Sequence, residues 1–294
     1  MSPQFEQVIA SDGYLLSTRH WRPEQPPRGF VVALHGIQSH AGWYESSCQQ
    51  LCAAGYDVLF LDRRGSGMNA ARRGDTPHGD RLINDVVQIL AEVRRRRDRV
   101  DSRIPVVLLA VSWGGKLAAI TAARRPELVD ALALLYPGLC SRVGPTAVQR
   151  ARLWLARKLD IRNKRIEIPL NDPAHFTAEP RWQEFIRRDP LALRDVTSGF
   201  LLAHQDLTRE SLEAAPRILC PTLLMLAGRD RIIDNAATKA WAQRLGTGNL
   251  TLHEYPNAQH TLEFESSPQP FVADLLAWLM TAGSGNARGY ESAL

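Results

Sequence analysis

Ser112 sits in LLAVSWGGKL (108–117), where an apolar run ends at one hydroxyl and two glycines follow. A serine hydroxyl is a poor nucleophile at neutral pH. It needs a base to take its proton, usually a histidine, and the base needs a carboxylate to fix its tautomer. Asp230, in LLMLAGRDRIID, lies just past a second apolar run, and His260, in NAQHTLEFE, follows a third. Serine, then aspartate, then histidine is the order found where the nucleophile stands on a strand–turn–helix elbow. Asp234, one turn further on, is a rival for the carboxylate. The G-x-S-x-G spacing of such elbows is altered at its first position, where Ala110 stands. Alanine is still small, and Gly114 and Gly115 keep the helix side of the turn open.

The charge that develops on a carbonyl oxygen under attack needs two fixed N–H donors. LHGIQSHAGWY (34–44) follows the first buried apolar run. Gly36 there allows the backbone to approach the reacting centre. The expected donors are the main-chain N–H groups of Ile37 and Trp113, the second at a helix start where the dipole adds favourably. Trp113 is also expected to crowd the acyl side of the pocket. The tight glycine turns of LDRRGSG (61–67) read as structural support at the same edge.

Positioning these residues requires a sheet with a common edge. Nearly unbroken apolar runs occur at FVVALHG, YDVLFLD, IPVVLLAV, VDALALLY, PTLLMLAG and NLTLHEY. Such runs fit strands buried on both faces. Helical patterns lie between most of them, at 41–54, 80–98, 114–125, 235–245 and 268–281. Strand alternating with helix predicts an α/β fold with a mostly parallel, doubly wound sheet. Asp12-Gly13 between two alternating runs predicts a leading hairpin.

The alternation breaks over 139–218, a charged, proline-interrupted stretch expected to form a helical cap inserted between two late strands. Segments 1–138 and 219–282 then make the core, and 283–294 a flexible tail. Trp154 and Trp182 are the cap residues expected at the substrate, beside Gly36 and Trp113. The RRRR run at 94–97 reads as a solvated helix face.

The chain has 294 residues, 45% hydrophobic and 23% charged, with a net charge of +5. That composition is ordinary for a globular enzyme-sized domain. The excess charge comes without a basic aromatic stripe or zinc-finger spacing, so nucleic acid is not an expected partner. The N-terminus lacks the pattern of a signal peptide and no run is long enough to span a bilayer. Four cysteines form no CxxC and read as reduced thiols of a cytoplasmic protein, with no metal site.

Taken together, HG (35–36), GWY (42–44), DRRGSG (62–67), SWGG (112–115), GRD (228–230) and AQH (258–260) resemble the α/β-hydrolase superfamily, in its monoacylglycerol lipase and lysophospholipase-like, serine aminopeptidase-type branch. These pieces span nearly the whole chain in the family's order. The resemblance implies a Ser112–Asp230–His260 triad and oxyanion donors at Ile37 and Trp113. It also implies hydrolysis of carboxylic acyl esters through an acyl-enzyme, without a cofactor. This sequence departs from the family at Ala110-Val111 before the serine and Trp113 after it.

The same triad would serve a thioesterase, a peptidase or an acyltransferase, since one acyl-enzyme suffices for all of them. A non-catalytic ligand-binding member of the fold is a further alternative. The expected partner is a small acyl ester, with weak membrane-surface contact through the cap. Oligomeric state is not legible.

Overall fold

The computed structural model describes residues 2–144 and 146–282; the tail expected at 283–294 lies outside the described residues. β1 (Gln4–Ile9) and β2 (Leu15–Trp21) form the leading hairpin. β3 (Gly29–Leu34), β4 (Tyr56–Leu61), β5 (Val106–Val111) and β6 (Ala131–Leu135) follow, and every residue of β3, β5 and β6 is buried. β7 (Arg165–Glu167) and β8 (Asp195–Thr197) pair antiparallel as a separate ribbon, while β9 (Thr222–Ala227) and β10 (Leu250–Tyr255) complete the main sheet.

That sheet has eight strands in the order β1-β2-β4-β3-β5-β6-β9-β10. The hairpin joins β4 antiparallel and all later neighbours are parallel. The apolar runs read from the sequence are these strands, and the fold is the expected doubly wound α/β arrangement, but NLTLHEY is not buried on both faces: β10 is an edge strand, with Leu250 and Leu252 exposed and its other face only half-buried.

The helices are α1 (Glu45–Ala53), α2 (Gly79–Val100), α3 (Gly114–Arg124), α4 (Ala147–Lys158), α5 (Pro180–Arg188), α6 (Ser198–Glu213), α7 (Asn235–Ala242) and α8 (Gln269–Ala282). Alternate side chains of each parallel strand feed two cores. Val32, Leu108 and Leu132 point to one, shared with α2 and α3. Val31, Val107 and Ala133 point to the other, shared with α1 and α8. α2 presents Leu82, Val86, Leu90 and Val93 to the sheet at helical spacing. The arginine run at its end is not uniformly solvated. Arg97 is buried, donating to the carbonyls of Ser102 and Ile104, and Arg94 pairs with Asp130.

Within 139–218 the structure is not purely helical. β7 and β8 are three residues each, too short for a period to show in the sequence. α6 also packs on the core, burying Phe200 and Leu207 beside Leu82 of α2 and Leu117 of α3. The segment between β6 and α6 lies over the sheet's C-terminal edge and is tied down there. Leu193 N–H donates to the Gln38 carbonyl, Gln38 Nε2 to Asn171 Oδ1, and Trp43 Nε1 to Asp189 Oδ2.

Candidate active site

Val111 stands opposite Leu135 in the sheet, so Ser112 and Tyr136 leave adjacent strands side by side. Both adopt the left-handed region, at φ +48° and +37°. A residue with a Cβ pays about 1–3 kcal/mol for that conformation, and it persists only where surroundings enforce it. Here Ser112 N–H donates to the Leu135 carbonyl, and the Ser112 carbonyl accepts from Gly115 and Gly138 N–H. The turn is too tight for a side chain at Gly114, where a Cβ would lie 2.7 Å from the His35 carbonyl oxygen. Ala110 is buried within β5, so its methyl faces the core and leaves the turn itself unobstructed.

The structure brings Ser112, His260 and Asp230 into one chain of contacts. Ser112 Oγ is 2.9 Å from His260 Nε2, and His260 Nδ1 is 2.7 Å from Asp230 Oδ2. The other oxygen of Asp230 accepts from Ile232 and Ile233 N–H at 2.7 and 2.9 Å. A carboxylate so held accepts, so His260 carries its proton on Nδ1 and presents a bare Nε2 to the serine. His260 and Asp230 are both buried. Rings of Tyr136 and Phe176 stand edge-on to the imidazole, with centroids 4.9 and 5.8 Å away. Asp234 is elsewhere: it caps α7, accepting from Ala237 N–H at 3.0 Å.

The turn holding Ile37 is fixed by His35. Arg63 N–H donates to His35 Nε2 at 2.8 Å, so Nδ1 bears the proton and donates to the Gly36 carbonyl at 2.7 Å. Burial and the nearby Arg63 hold the His35 imidazole well below its usual range, which keeps this neutral tautomer. C=O and N–H point to opposite sides of a trans peptide. With the Gly36 carbonyl held by His35, the Ile37 N–H faces the other way, and Ile37 lines the cavity together with Ser112. Arg63 Nη2 in turn holds the Ile37 carbonyl at 2.9 Å. A Cβ on Gly36 would lie 3.3 Å from that of Ser112. Among the described residues, neither the Ile37 nor the Trp113 amide donates to a protein acceptor.

The cavity at Ser112 is small, about 10 Å3, and is lined by Gly36, Ile37, Trp43, Tyr136, Leu170 and Phe176 among others. Trp113 is absent from that lining. Its indole stacks on Phe200 and donates from Nε1 to His204 Nδ1 at 2.8 Å, so it fills the seam between α3 and α6 instead of the pocket. Burial, then Lys116, pushes His204 down to about 3, which keeps its ring neutral and able to accept. Trp154 projects from α4 and is 62% exposed, away from the cavity. Trp182 stacks on Phe264 at 4.5 Å, in an aromatic cluster with Trp43 and Phe185 that joins α5 to the core.

Sequence reasoning missed Tyr136 and Glu263. Tyr136 Oη donates to Glu263 at 2.5 Å, and burial raises that carboxyl to about 7. EF in HTLEFE carries no signal of this, because the partner lies 127 residues away.

An eight-stranded, mostly parallel sheet with a strained serine at the end of one strand, joined to a buried histidine and aspartate beyond two later strands, defines an α/β-hydrolase. The chain belongs to the family described as serine aminopeptidase, S33, whose profile matches residues 25–267. It is 25% identical over 266 residues to a monoacylglycerol lipase of Mycolicibacterium smegmatis, covering 89% of this chain and 91% of that one. It is 24% identical over 261 residues to the monoglyceride lipase of Homo sapiens, covering 88% and 84%. Among solved structures, a soluble variant of monoglyceride lipase from Saccharomyces cerevisiae, in complex with a substrate analog, superposes with a TM-score of 0.84. Its identity is 18%, with 96% of each chain covered. The monoacylglycerol lipase of Paleococcus ferrophilus gives 0.80 at 22% identity, covering 91% and 99%. The protein is thus a serine hydrolase of this fold.

Proposed function

We propose that the protein cleaves carboxylic esters of the acylglycerol or lysophospholipid kind, through an acyl-enzyme on Ser112. The observation that carries the reading is the Ser112–His260–Asp230 chain, with contacts of 2.9 and 2.7 Å, on a serine held at φ +48°. Ser112 Oγ attacks the ester carbonyl while its proton passes to His260 Nε2. Asp230 stabilises the resulting imidazolium. The Ile37 and Trp113 amides take the oxyanion. His260 then gives the proton to the departing alcohol, which breaks the ester bond. Water attacks the acyl-enzyme, losing a proton to His260, and the carboxylic acid leaves as that proton returns to Ser112. The scheme needs no cofactor.

The lining favours an ester over the aminopeptidase chemistry in the family's description. Among the described residues around the cavity there is no carboxylate to pair with a substrate's α-amino group, whereas Trp43, Leu170 and Phe176 offer apolar surface to an acyl chain. The names of the relatives point the same way. We place the protein in the cytoplasm, where thiols such as the buried Cys48 stay reduced.

Two measurements test the reading. A fluorophosphonate probe should label the wild type and not Ser112→Ala. His260→Ala should lower kcat about 10³-fold or more, by the scale of other triads. A folded but unlabelled wild type would sink the nucleophile assignment. A p-nitrophenyl ester series run beside a thioester and an aminoacyl amide separates ester hydrolysis from its rivals.

Segment 139–218 serves as a cap in this reading, and contact with a lipid surface belongs to the cap. On α4, Val148, Trp154 and Leu155, and Leu159 just beyond it, are 60%, 62%, 49% and 60% exposed, among Arg152, Arg157 and Lys158. An apolar stripe edged by cations suits an anionic interface. Among the described residues no helix is long and apolar enough to cross a membrane. Co-sedimentation with phosphatidylglycerol vesicles should weaken in Trp154→Ala/Leu155→Ala; unchanged pelleting would remove α4 from the account.

A further inference from the structure

One polar atom at the cavity has no role in the chemistry above. Gln38 lines the cavity with Ser112, Gly36 and Ile37, and it is only 1% exposed. Its Nε2 donates to Asn171 Oδ1 at 2.8 Å, and its Oε1 has no hydrogen-bond partner in the protein. Among the described residues, no other buried side-chain polar atom without a partner belongs to a residue lining this cavity.

The orientation of the amide is fixed from outside. Asn171 Nδ2 donates to Glu167 Oε1 at 2.5 Å. A carboxylate only accepts, so Asn171 must turn its nitrogen to Glu167 and its oxygen to Gln38. Gln38 must then answer with Nε2, since two carbonyl oxygens cannot bond each other. What remains free is Oε1, an acceptor. The main chain is held as well: the Gln38 carbonyl accepts from Leu193 N–H at 2.8 Å. Both ties run to the segment over the sheet's C-terminal edge, so that segment sets the acceptor in place.

A buried acceptor with no donor in the protein is costly, and an apolar side chain of similar length would avoid the cost. Its place says what the donor is. Gln38 directly follows Ile37, whose amide takes the oxyanion in the scheme above, and consecutive Cα atoms stand about 3.8 Å apart. A group bound at Oε1 is thus a few bonds from the reacting carbonyl. A saturated acyl chain carries no donor, so the donor belongs to the alcohol side of the ester. No carboxylate lines the cavity among the described residues, and a neutral amide oxygen suits a neutral hydroxyl better than an ammonium group, whose charge would be buried unpaired.

We propose that Gln38 is a specificity-determining residue: its Oε1 accepts from a free hydroxyl on the alcohol of the substrate, and the enzyme prefers esters of diols and polyols that keep a hydroxyl unesterified. The proposal rests on the ester-hydrolase reading and deepens it. A simple alkyl ester leaves Oε1 unpaired and is disfavoured.

The test compares kcat/KM for 2-hydroxyethyl butyrate with two relatives. Propyl butyrate puts a methyl in place of the hydroxyl, and 2-methoxyethyl butyrate keeps the electron-withdrawing oxygen without the donor. Wild type should prefer the hydroxyl ester over both by roughly tenfold, the scale of one neutral hydrogen bond whose loss leaves a buried partner unpaired. Gln38→Met, similar in length and without the acceptor, should bring the ratio to 2-methoxyethyl butyrate within about twofold of one. Asn171→Leu, which frees the amide to turn, should lower that ratio about threefold or more. Each result is a ratio on one preparation, so a smaller folded fraction cancels. A wild type without preference, as when Oε1 holds only water, or a Gln38→Met that keeps the preference, would overturn the proposal. Should Gln38→Met fail to fold by near-ultraviolet circular dichroism, Asn171→Leu decides alone, and an unchanged ratio there overturns it. A wild type inert on all three esters and on p-nitrophenyl butyrate, and unlabelled by the fluorophosphonate, would overturn the ester-hydrolase reading as well; one that is active but does not discriminate overturns the role of Gln38 alone.

Discussion

Asp230 and Asp234 share a loop and differ in which donors their carboxylates accept from. The first meets His260 and two backbone amides, the second only the first turn of α7. Asp230→Asn should therefore cost about 10³-fold or more in kcat, as for other triads that lose the tautomer-fixing carboxylate. Asp234→Ala should cost about 1 kcal/mol of stability as a lost N-cap, with kcat little changed; the reverse pattern in a paired kinetic and thermal assay would exchange their roles. The sequence left both open because each is an aspartate after the same strand, and only the fold decides which one His260 reaches. Glu263 was not legible at all, since its environment is made largely by Tyr136, Tyr44 and Cys48 from distant segments. Burial raises its carboxyl from 4.5 to about 7. Between those values the native state holds a proton that the unfolded chain has lost, so stability falls as pH rises through the window. The full span is worth roughly 3 kcal/mol at 1.36 kcal/mol per unit. Glu263→Gln removes that dependence: its melting temperature should equal or trail wild type at pH 5 and exceed it at pH 8. A constant difference across that range would contradict the assignment of the buried proton to Glu263.

At the scale of elements, the long ones were legible and the short ones were not. β3, β5, β6 and β9 read as apolar runs because both faces are buried, and α2 and α3 read from their period and their place between those runs. β7 and β8 pair over three residues with an exposed edge, which leaves no pattern to read. Trp113 shows the same limit from the other side. Its position next to Ser112 predicts a pocket residue, but the residue's direction is set by α6, whose Phe200 and His204 claim the indole. The indole thus couples the elbow helix to α6, and we expect acyl length to be set elsewhere. Trp113→Phe should leave His204 Nδ1 without its donor, destabilising the fold by about 1–3 kcal/mol. Its relative rates on p-nitrophenyl acetate, butyrate and octanoate should match wild type. A shift of preference toward longer chains would put the ring back in the pocket.

At the scale of the whole molecule, the cavity poses the mechanical problem. Its volume of about 10 Å3 is room for about one water. With 139–218 proposed as a cap, we expect a long acyl chain to displace part of that segment on its way to Ser112. The ties of that segment to the core are concentrated at the end of α5, where Asp189 Oδ2 accepts from Trp43 Nε1 at 2.6 Å and contacts His40 Nε2 at 3.0 Å. Its other oxygen accepts from Leu191 N–H, so Asp189 joins the loop after β3 to the covering chain on both sides. Those partners, His40 first, hold the Asp189 carboxyl below its ordinary range against the pull of burial, so it is ionised at neutral pH. Hydrogen bonds to a charged group are worth about 1.5–3 kcal/mol each. Losing them favours the open form, and the gain belongs to substrates that need the opening most. Asp189→Ala should lower the melting temperature. At the same time it should raise kcat/KM for p-nitrophenyl octanoate, relative to p-nitrophenyl acetate, by roughly threefold or more. Both esters need Ser112, so a simple loss of folded enzyme lowers the two rates together and leaves their ratio alone. A ratio that stays at the wild-type value despite a lower melting temperature would mean that Asp189 braces the fold without gating the site.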